Sequence, residues 1–237
     1  KVHERQDTFG LRPRNKEQRF ALDLLMDPAV KLVTLVGPSG TGKTLLALAA
    51  GLEQLSGMGR SATSAAYQKL IVTRPVQPVG KEIGFLPGTL EEKMEPWVSP
   101  IRDNLEQLMG SRRAPGRPDG RRQRDEPYLS LLMESGKIEV EAITFIRGRS
   151  IPGAFIVIDE AQNLSIHELK TIITRVGDGT KIVLTGDSYQ IDNPYVDSAN
   201  NGLVYLVDRF KDESISAHVT FTKGERSKLS ELASNLL

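Results

Sequence analysis

The segment Gly37-Pro38-Ser39-Gly40-Thr41-Gly42-Lys43-Thr44 constrains this chain more than any other, because it matches GxxxxGK[ST], the Walker A pattern. Its setting adds to the constraint. Leu32 to Val36 is a short apolar run that reads as a buried strand, and Thr44 to Leu55, rich in Leu and Ala and free of proline, reads as a helix. A glycine-rich turn between a strand and a helix lets backbone N–H groups curl inward toward a phosphate, and the helix adds its positive N-terminal end. The Lys43 ammonium is then expected to bridge the β- and γ-phosphates of ATP, and the Thr44 hydroxyl to ligate magnesium.

The alternation continues downstream. Strand-like runs lie at Leu70 to Thr73, Ala142 to Ile146, Phe155 to Ile158, Ile182 to Thr185 and Val219 to Thr222, and helical patterns separate several of them. Glu17 to Met26 repeats its apolar residues at helical spacing. Ser165 with Glu168 forms a capping box ahead of the stripe Leu169, Ile172, Ile173 and Val176, which Gly177 closes. Asn200 to Phe210 and Ser227 to Leu237 are further helix candidates. Short apolar strands alternating with helices predict an α/β fold, a mostly parallel sheet with helices on both faces. With 237 residues the chain is read as one domain with insertions. Pro75 to Leu108, with five prolines, reads as a structured insertion too proline-broken for one helix. Gly110 to Glu126, with six arginines among prolines and glycines, reads as a disordered, solvated surface loop whose arginines are available to a polyanion.

Composition narrows the chemistry. There is no cysteine, and His3, His167 and His218 are scattered, so any metal is expected to be a hard ion held by oxygen. Basic and acidic residues nearly cancel at a net charge of +1, so bulk charge does not point to nucleic acid. No apolar run approaches the roughly eighteen residues that span a bilayer, and Lys1 to Arg14 is too charged for a signal peptide. A cytoplasmic protein with no membrane partner is expected. Lys1 rather than Met stands first, which is compatible with a longer parent chain.

The strand Phe155 to Ile158 delivers Asp159-Glu160, an arrangement of the Walker B kind. Parallel strands share one carboxyl edge, so Asp159 is expected to face the glycine loop and hold magnesium through a water. Glu160 is then placed to orient and deprotonate an attacking water. Gln190, beyond the strand ending at Thr185, lies on the same edge, where an amide senses a γ-phosphate or its water. No guanine-reading NKxD motif follows the loop; Asn15-Lys16-Glu17-Gln18 precedes it and ends in Gln. Gln18 is the candidate adenine reader, since an amide can pair with the adenine amino group and ring nitrogen.

Together, Gln18, the glycine loop, Asp159-Glu160-Ala161-Gln162 and Gly186-Asp187 with Gln190 resemble the Q motif and motifs I, II and III of superfamily 1 helicases. More narrowly the chain resembles the PhoH-like ATPases. The stretches that carry this are Arg14 to Gln18, Thr73-Arg74-Pro75-Val76, Gly84 to Gly88, Ile146-Arg147-Gly148-Arg149, Asp159 to Asn163 and Lys223 to Ser227. The resemblance implies a RecA-like fold, ATPase activity and action on RNA. One branch of that family carries an N-terminal PIN ribonuclease domain, which would lie upstream of Lys1. Superfamily 1 helicases place ATP between two RecA-like domains; only one fits here, so the resemblance implies a homo-oligomeric ring, a hexamer, whose neighbour completes the site. Arg226 leads the candidates for an arginine finger, ahead of Arg147 and Arg149.

Two functions compete at this stage. In the first, ATP drives remodelling of single-stranded RNA, with Arg74, Arg147 and Arg149 after strand-like runs lining a backbone-binding edge. In the second, ATP gates a regulatory module that switches an attached nuclease or partner. A small-molecule kinase is disfavoured by Glu160 and by the segment Gly186 to Gln190.

Overall fold

A computed structural model describes residues 7–55, 66–75, 90–111, 125–143, 150–197, 200–222 and 224. Among these described residues six parallel strands form a sheet in the order β3-β2-β4-β5-β1-β6. They are β1 (Leu32–Val36), β2 (Lys69–Arg74), β3 (Ile138–Ala142), β4 (Ala154–Ile158), β5 (Lys181–Gly186) and β6 (Ser216–Thr220). The helices are α1 (Lys16–Met26), α2 (Lys43–Gln54), α3 (Leu90–Ser111), α4 (Asp125–Glu134), α5 (Ile166–Ile173) and α6 (Gly202–Phe210).

Strand alternation divides the apolar core in two. Val33, Leu35, Leu70, Val72, Phe155, Val157 and Val183 point to the face covered by α1 to α4. Leu32, Ile71, Ile156, Ile158, Ile182 and Leu184 point to the face covered by α5 and α6. The central strands are buried on both faces, which is why they read as continuous apolar runs. The capping box of α5 is present, with Ser165 and Glu168 satisfying each other's backbone N–H. The helix stops at Ile173, so Val176 packs from the turn beyond it.

Three elements differ from expectation. β3 lies four residues before the expected Ala142 to Ile146, and residues 144–146 fall outside the described residues. Among the described residues it pairs only with β2, and its Ile-Glu-Val-Glu-Ala alternation buries Ile138 and half-buries Val140 on one face, whereas continuous apolar runs mark only doubly covered strands. β6, the other edge, alternates for the same reason and also starts early, at Ser216. α3 runs through both Pro96 and Pro100. Each interior proline costs a helix about 3 kcal/mol. Burial of Ile101, Leu105, Leu108 and Met109 offsets it, at about 1.5–3 kcal/mol per side chain. The first and last residues of the arginine-rich segment belong to α3 and α4, and the expected helix Ser227 to Leu237 lies outside the described residues. Among the described residues no helix is long and apolar enough to cross a membrane.

Lys181 fastens α1 to the sheet. It is fully buried at the start of β5, and its ammonium donates to the carbonyls of Leu25 (2.6 Å), Asp27 (2.7 Å) and Leu24 (3.3 Å) at the end of α1. A cation suits a helix C-terminus, but burial, reinforced by Lys31 and opposed by Asp27, pushes its pKa down to about 8. Between pH 8 and 10.5 the folded chain therefore binds fewer protons at this site than the unfolded one, so stability rises with pH. Burial pushes the Tyr67 hydroxyl up to about 12, which reverses the slope above pH 10. Urea denaturation is expected to show a gain of about 2 kcal/mol between pH 8 and pH 10 that is missing in Lys181→Met. A rise of equal size in both proteins would show that Lys181 is not its source.

Candidate active site

The strand order brings the carboxyl ends of β2, β4, β5 and β1 side by side, and the loops leaving them enclose a cavity of about 500 Å3. Its walls include Ser39, Gly40, Gly42, Lys43 and Thr44 from the glycine loop and Asp159 and Glu160 from the end of β4. Gly186, Asp187 and Gln190 contribute from the end of β5, and Arg74 with Pro100 and Asn104 from the side of β2 and α3.

The loop is shaped by contacts a side chain would block. Gly37 has a φ of 156°, and a Cβ there would stand 2.4 Å from the carbonyl oxygen of Phe221, just past β6. Gln18 braces the loop from α1: its amide donates to the Thr41 carbonyl (2.9 Å) and accepts from the Arg14 N–H (2.8 Å). The neighbouring Glu17 carboxylate accepts from Thr222 N and Oγ1. Lys43 is buried, and its Nζ donates to the loop's own carbonyls, at Gly37 (2.6 Å) and Pro38 (2.9 Å).

Asp159 is buried and joined to both neighbouring elements. Its Oδ1 accepts from Thr44 Oγ1 (2.7 Å) on α2 and from Thr185 Oγ1 (2.5 Å) on β5. One hydroxyl beside one carboxylate is the protein share of a magnesium site, since that ion keeps waters and takes phosphate oxygens for the rest. Among the described residues no group of three or more His, Asp or Glu could hold a metal by itself.

Glu160 follows in the left-handed region, at φ 53° and ψ 40°. That conformation costs a non-glycine residue about 1–2 kcal/mol, and such strain concentrates at functional sites. It turns the chain off β4 and leaves the carboxylate between two donors. Gln162 Nε2 donates to Oε2 at 2.6 Å, and the Arg74 guanidinium stands 3.4 Å from Oε1. The Arg74 and Glu160 side chains are 28% and 32% exposed, so the ion pair contributes about 1 kcal/mol at most.

Gln162 joins these parts. Fully buried, it donates to Glu160 and to the Gln190 carbonyl (2.9 Å), and its Oε1 accepts from Asp187 N (3.1 Å). A Cβ on Gly186 would lie 2.7 Å from that Oε1, so a side chain there would displace the amide from its bonds. Asp187 extends the chain of contacts to the glycine loop, accepting from Ser39 N at 3.2 Å. Asn163 fixes the segment beyond, accepting from Asp192 N and Asn193 N.

Most of the expected residues are thus brought together: Ser39, Gly40, Gly42, Lys43 and Thr44 of the loop border one cavity with Asp159, Glu160 and Gln190, while Gln18 is bound to the loop at Thr41. Gln190 engages Gln162 through its backbone, and its side chain is exposed. Arg74, read as a nucleic-acid contact, lines the cavity itself. Arg147, Arg149 and Arg226 lie outside the described residues. Sequence reading gave no role to Gln162, Thr185, Asp187 or Asn104. The first three sit within or beside motif segments at strand ends, a signal that was visible. Asn104 sits on a helix whose docking site nothing local announces.

A solved structure with this architecture is the large terminase of a thermophilic bacteriophage, at a TM-score of 0.53 and 15% identity over 94% of this chain and 50% of that one, a likeness of fold alone. A RecA-like sheet with such a cavity at its carboxyl edge defines the class, the P-loop nucleoside triphosphatases. Within that class the chain belongs to the PhoH-like protein family, whose model matches residues 10–235. It is 54% identical over its whole length to Protein PhoH2 of Bacillus subtilis, where it covers 50% of that protein. It is 39% identical over 98% of its length to Protein PhoH2 of Thermobispora bispora, covering 48%. The chain therefore spans about half the length of the curated relatives it matches.

Proposed function

We propose that this chain binds ATP with magnesium, hydrolyses it, and couples hydrolysis to single-stranded RNA within a ring of identical subunits. The observation that carries the hydrolytic part is the 2.7 Å bond between Thr44 and Asp159, with Glu160 next in the chain and bordering the same cavity as Lys43. When bound, magnesium would neutralise charge on the phosphates. The residues of the chain do the rest. Lys43 turns from its loop carbonyls to the phosphates, Thr44 and Asp159 offer oxygen ligands, and Glu160 accepts a proton from the attacking water. Gln162 holds Glu160 in line, and Gln18 both braces the loop and offers its remaining amide valences to adenine.

RNA coupling rests on the helicase-like motif set and on two tyrosines of the Asp187 to Asp197 segment, Tyr189 at 92% and Tyr195 at 88% exposure, which offer stacking faces beside the site. The ring rests on the resemblance to superfamily 1 helicases, whose ATP lies between two RecA-like units where the described residues form one sheet, and Arg226, Arg147 or Arg149 of a neighbour would reach the phosphate.

ATP turnover measured with single-stranded RNA, single-stranded DNA or neither is expected to rise severalfold with RNA at low salt and to lose that rise by about 0.5 M salt. Tyr195→Ala is expected to weaken RNA about tenfold or more, as the loss of one stacked base would. Turnover indifferent to both polymers at low salt would remove RNA from the proposal, and a monomer in sedimentation with and without ATP would remove the ring.

The half-length coverage of the relatives favours one second reading, an ATP-gated module that controls an attached domain, such as a PIN ribonuclease. A hydrolysis-dead chain would still support the output of that device but not of a motor.

A further inference from the structure

Resting on the reading of this cavity as an ATPase site, we propose that Arg74 senses the γ-phosphate within its own subunit and holds Glu160 until that phosphate arrives. β2 lies directly beside β4, with Thr73 in register with Ile158, so Arg74 and Glu160 leave adjacent strand ends. The guanidinium is 3.4 Å from one Glu160 oxygen while Gln162 occupies the other, so each oxygen of the carboxylate has a donor facing it. A water can take its place on either oxygen only after one of these donors has left. Both partners remain partly exposed, and such a pair exchanges readily.

Arg74 and Lys43 border the same cavity from opposite sides of β4. β2 stands three strand spacings, about 14 Å, from β1, so the two cations flank the space in which the phosphates must lie. The terminal phosphate of a triphosphate offers more charge than a single carboxylate, with oxygens that suit the planar guanidinium fork. It would draw Arg74 off Glu160 and free one oxygen of the carboxylate at the moment a hydrolysable nucleotide is present. A diphosphate lacks the group that Arg74 reads. The site would thereby tell ATP from ADP without help from a neighbouring subunit.

Calorimetric titration of the whole chain with magnesium and either AMP-PNP or ADP tests this, alongside steady-state turnover. Arg74→Ala is expected to weaken AMP-PNP about tenfold, to change ADP affinity less than twofold, and to lower kcat about a hundredfold. Arg74→Lys should recover most of the AMP-PNP affinity and less of the rate, because an ammonium lacks the fork. Unchanged ADP binding reports that the variant is folded. Equal losses for both nucleotides would overturn the proposal and leave Arg74 a structural role. Unchanged polymer-free kinetics with a raised KM for RNA would overturn it in favour of a nucleic-acid contact. If wild type bound neither nucleotide more tightly than Lys43→Ala, the ATPase reading would fall and this proposal with it.

Discussion

Replacing Glu160 by glutamine is expected to lower ATP turnover about a thousandfold while ATP affinity stays within a few fold. The amide keeps the shape of the carboxylate but has no basicity, and a positioned general base contributes roughly a hundred- to ten-thousandfold. Binding should survive because Lys43, Thr44 and Asp159 stand apart from this change, the last two still joined at 2.7 Å. The backbone at φ 53° suits Gln as it suits Glu, so the left-handed turn is retained. Single-turnover hydrolysis with fluorescent-nucleotide binding in parallel is the measurement. Turnover within threefold of wild type would transfer the base to another residue. A loss of affinity equal to the loss of rate would instead mean that Glu160 shapes the pocket rather than the chemistry.

Lys43→Ala should act on both affinity and rate, lowering turnover by about a hundred- to a thousandfold as the loss of a donor aimed at transition-state charge does. It should also act without any nucleotide. In the resting chain the buried ammonium holds the carbonyls of Gly37 and Pro38, and its removal leaves the curled loop without those bonds. A cost of about 2 kcal/mol, or roughly 4–8 °C in Tm, is expected of the free protein. Normal hydrolysis by Lys43→Ala would end the central assignment. An unchanged Tm with abolished turnover would confine Lys43 to phosphate binding.

Much of the site is legible locally. Gly37 to Thr44 declares its turn, because glycines at those places leave few other uses for the backbone. Phe155 to Ile158 declares a doubly covered strand, and a parallel sheet then obliges Asp159 and Glu160 to leave by the same edge as the loop. The capping residue Ser165 marks a helix start because its side chain bonds an N–H group only three residues away. Edge strands are less legible: β3 and β6 are covered on one face and alternate, so continuous apolar runs do not mark their bounds. α3 was hidden by its prolines, since the burial that sustains it involves residues far away in sequence.

The sequence by itself determined which residues can cradle a phosphate and at which edge of which strands they emerge, because those properties depend on backbone preference and on alternation over a few residues. Only the tertiary structure decided the lateral order of the strands. That order is set by how crossover helices pack across tens of residues, and no local period encodes it. It placed β2 beside β4 and so set Arg74 against Glu160, and it brought Asp187 to Ser39 and Gln162 between them. Arg74, read from the sequence as lining a nucleic-acid backbone-binding edge, borders this cavity, because its strand's neighbour, rather than its own spacing, decides what its side chain meets.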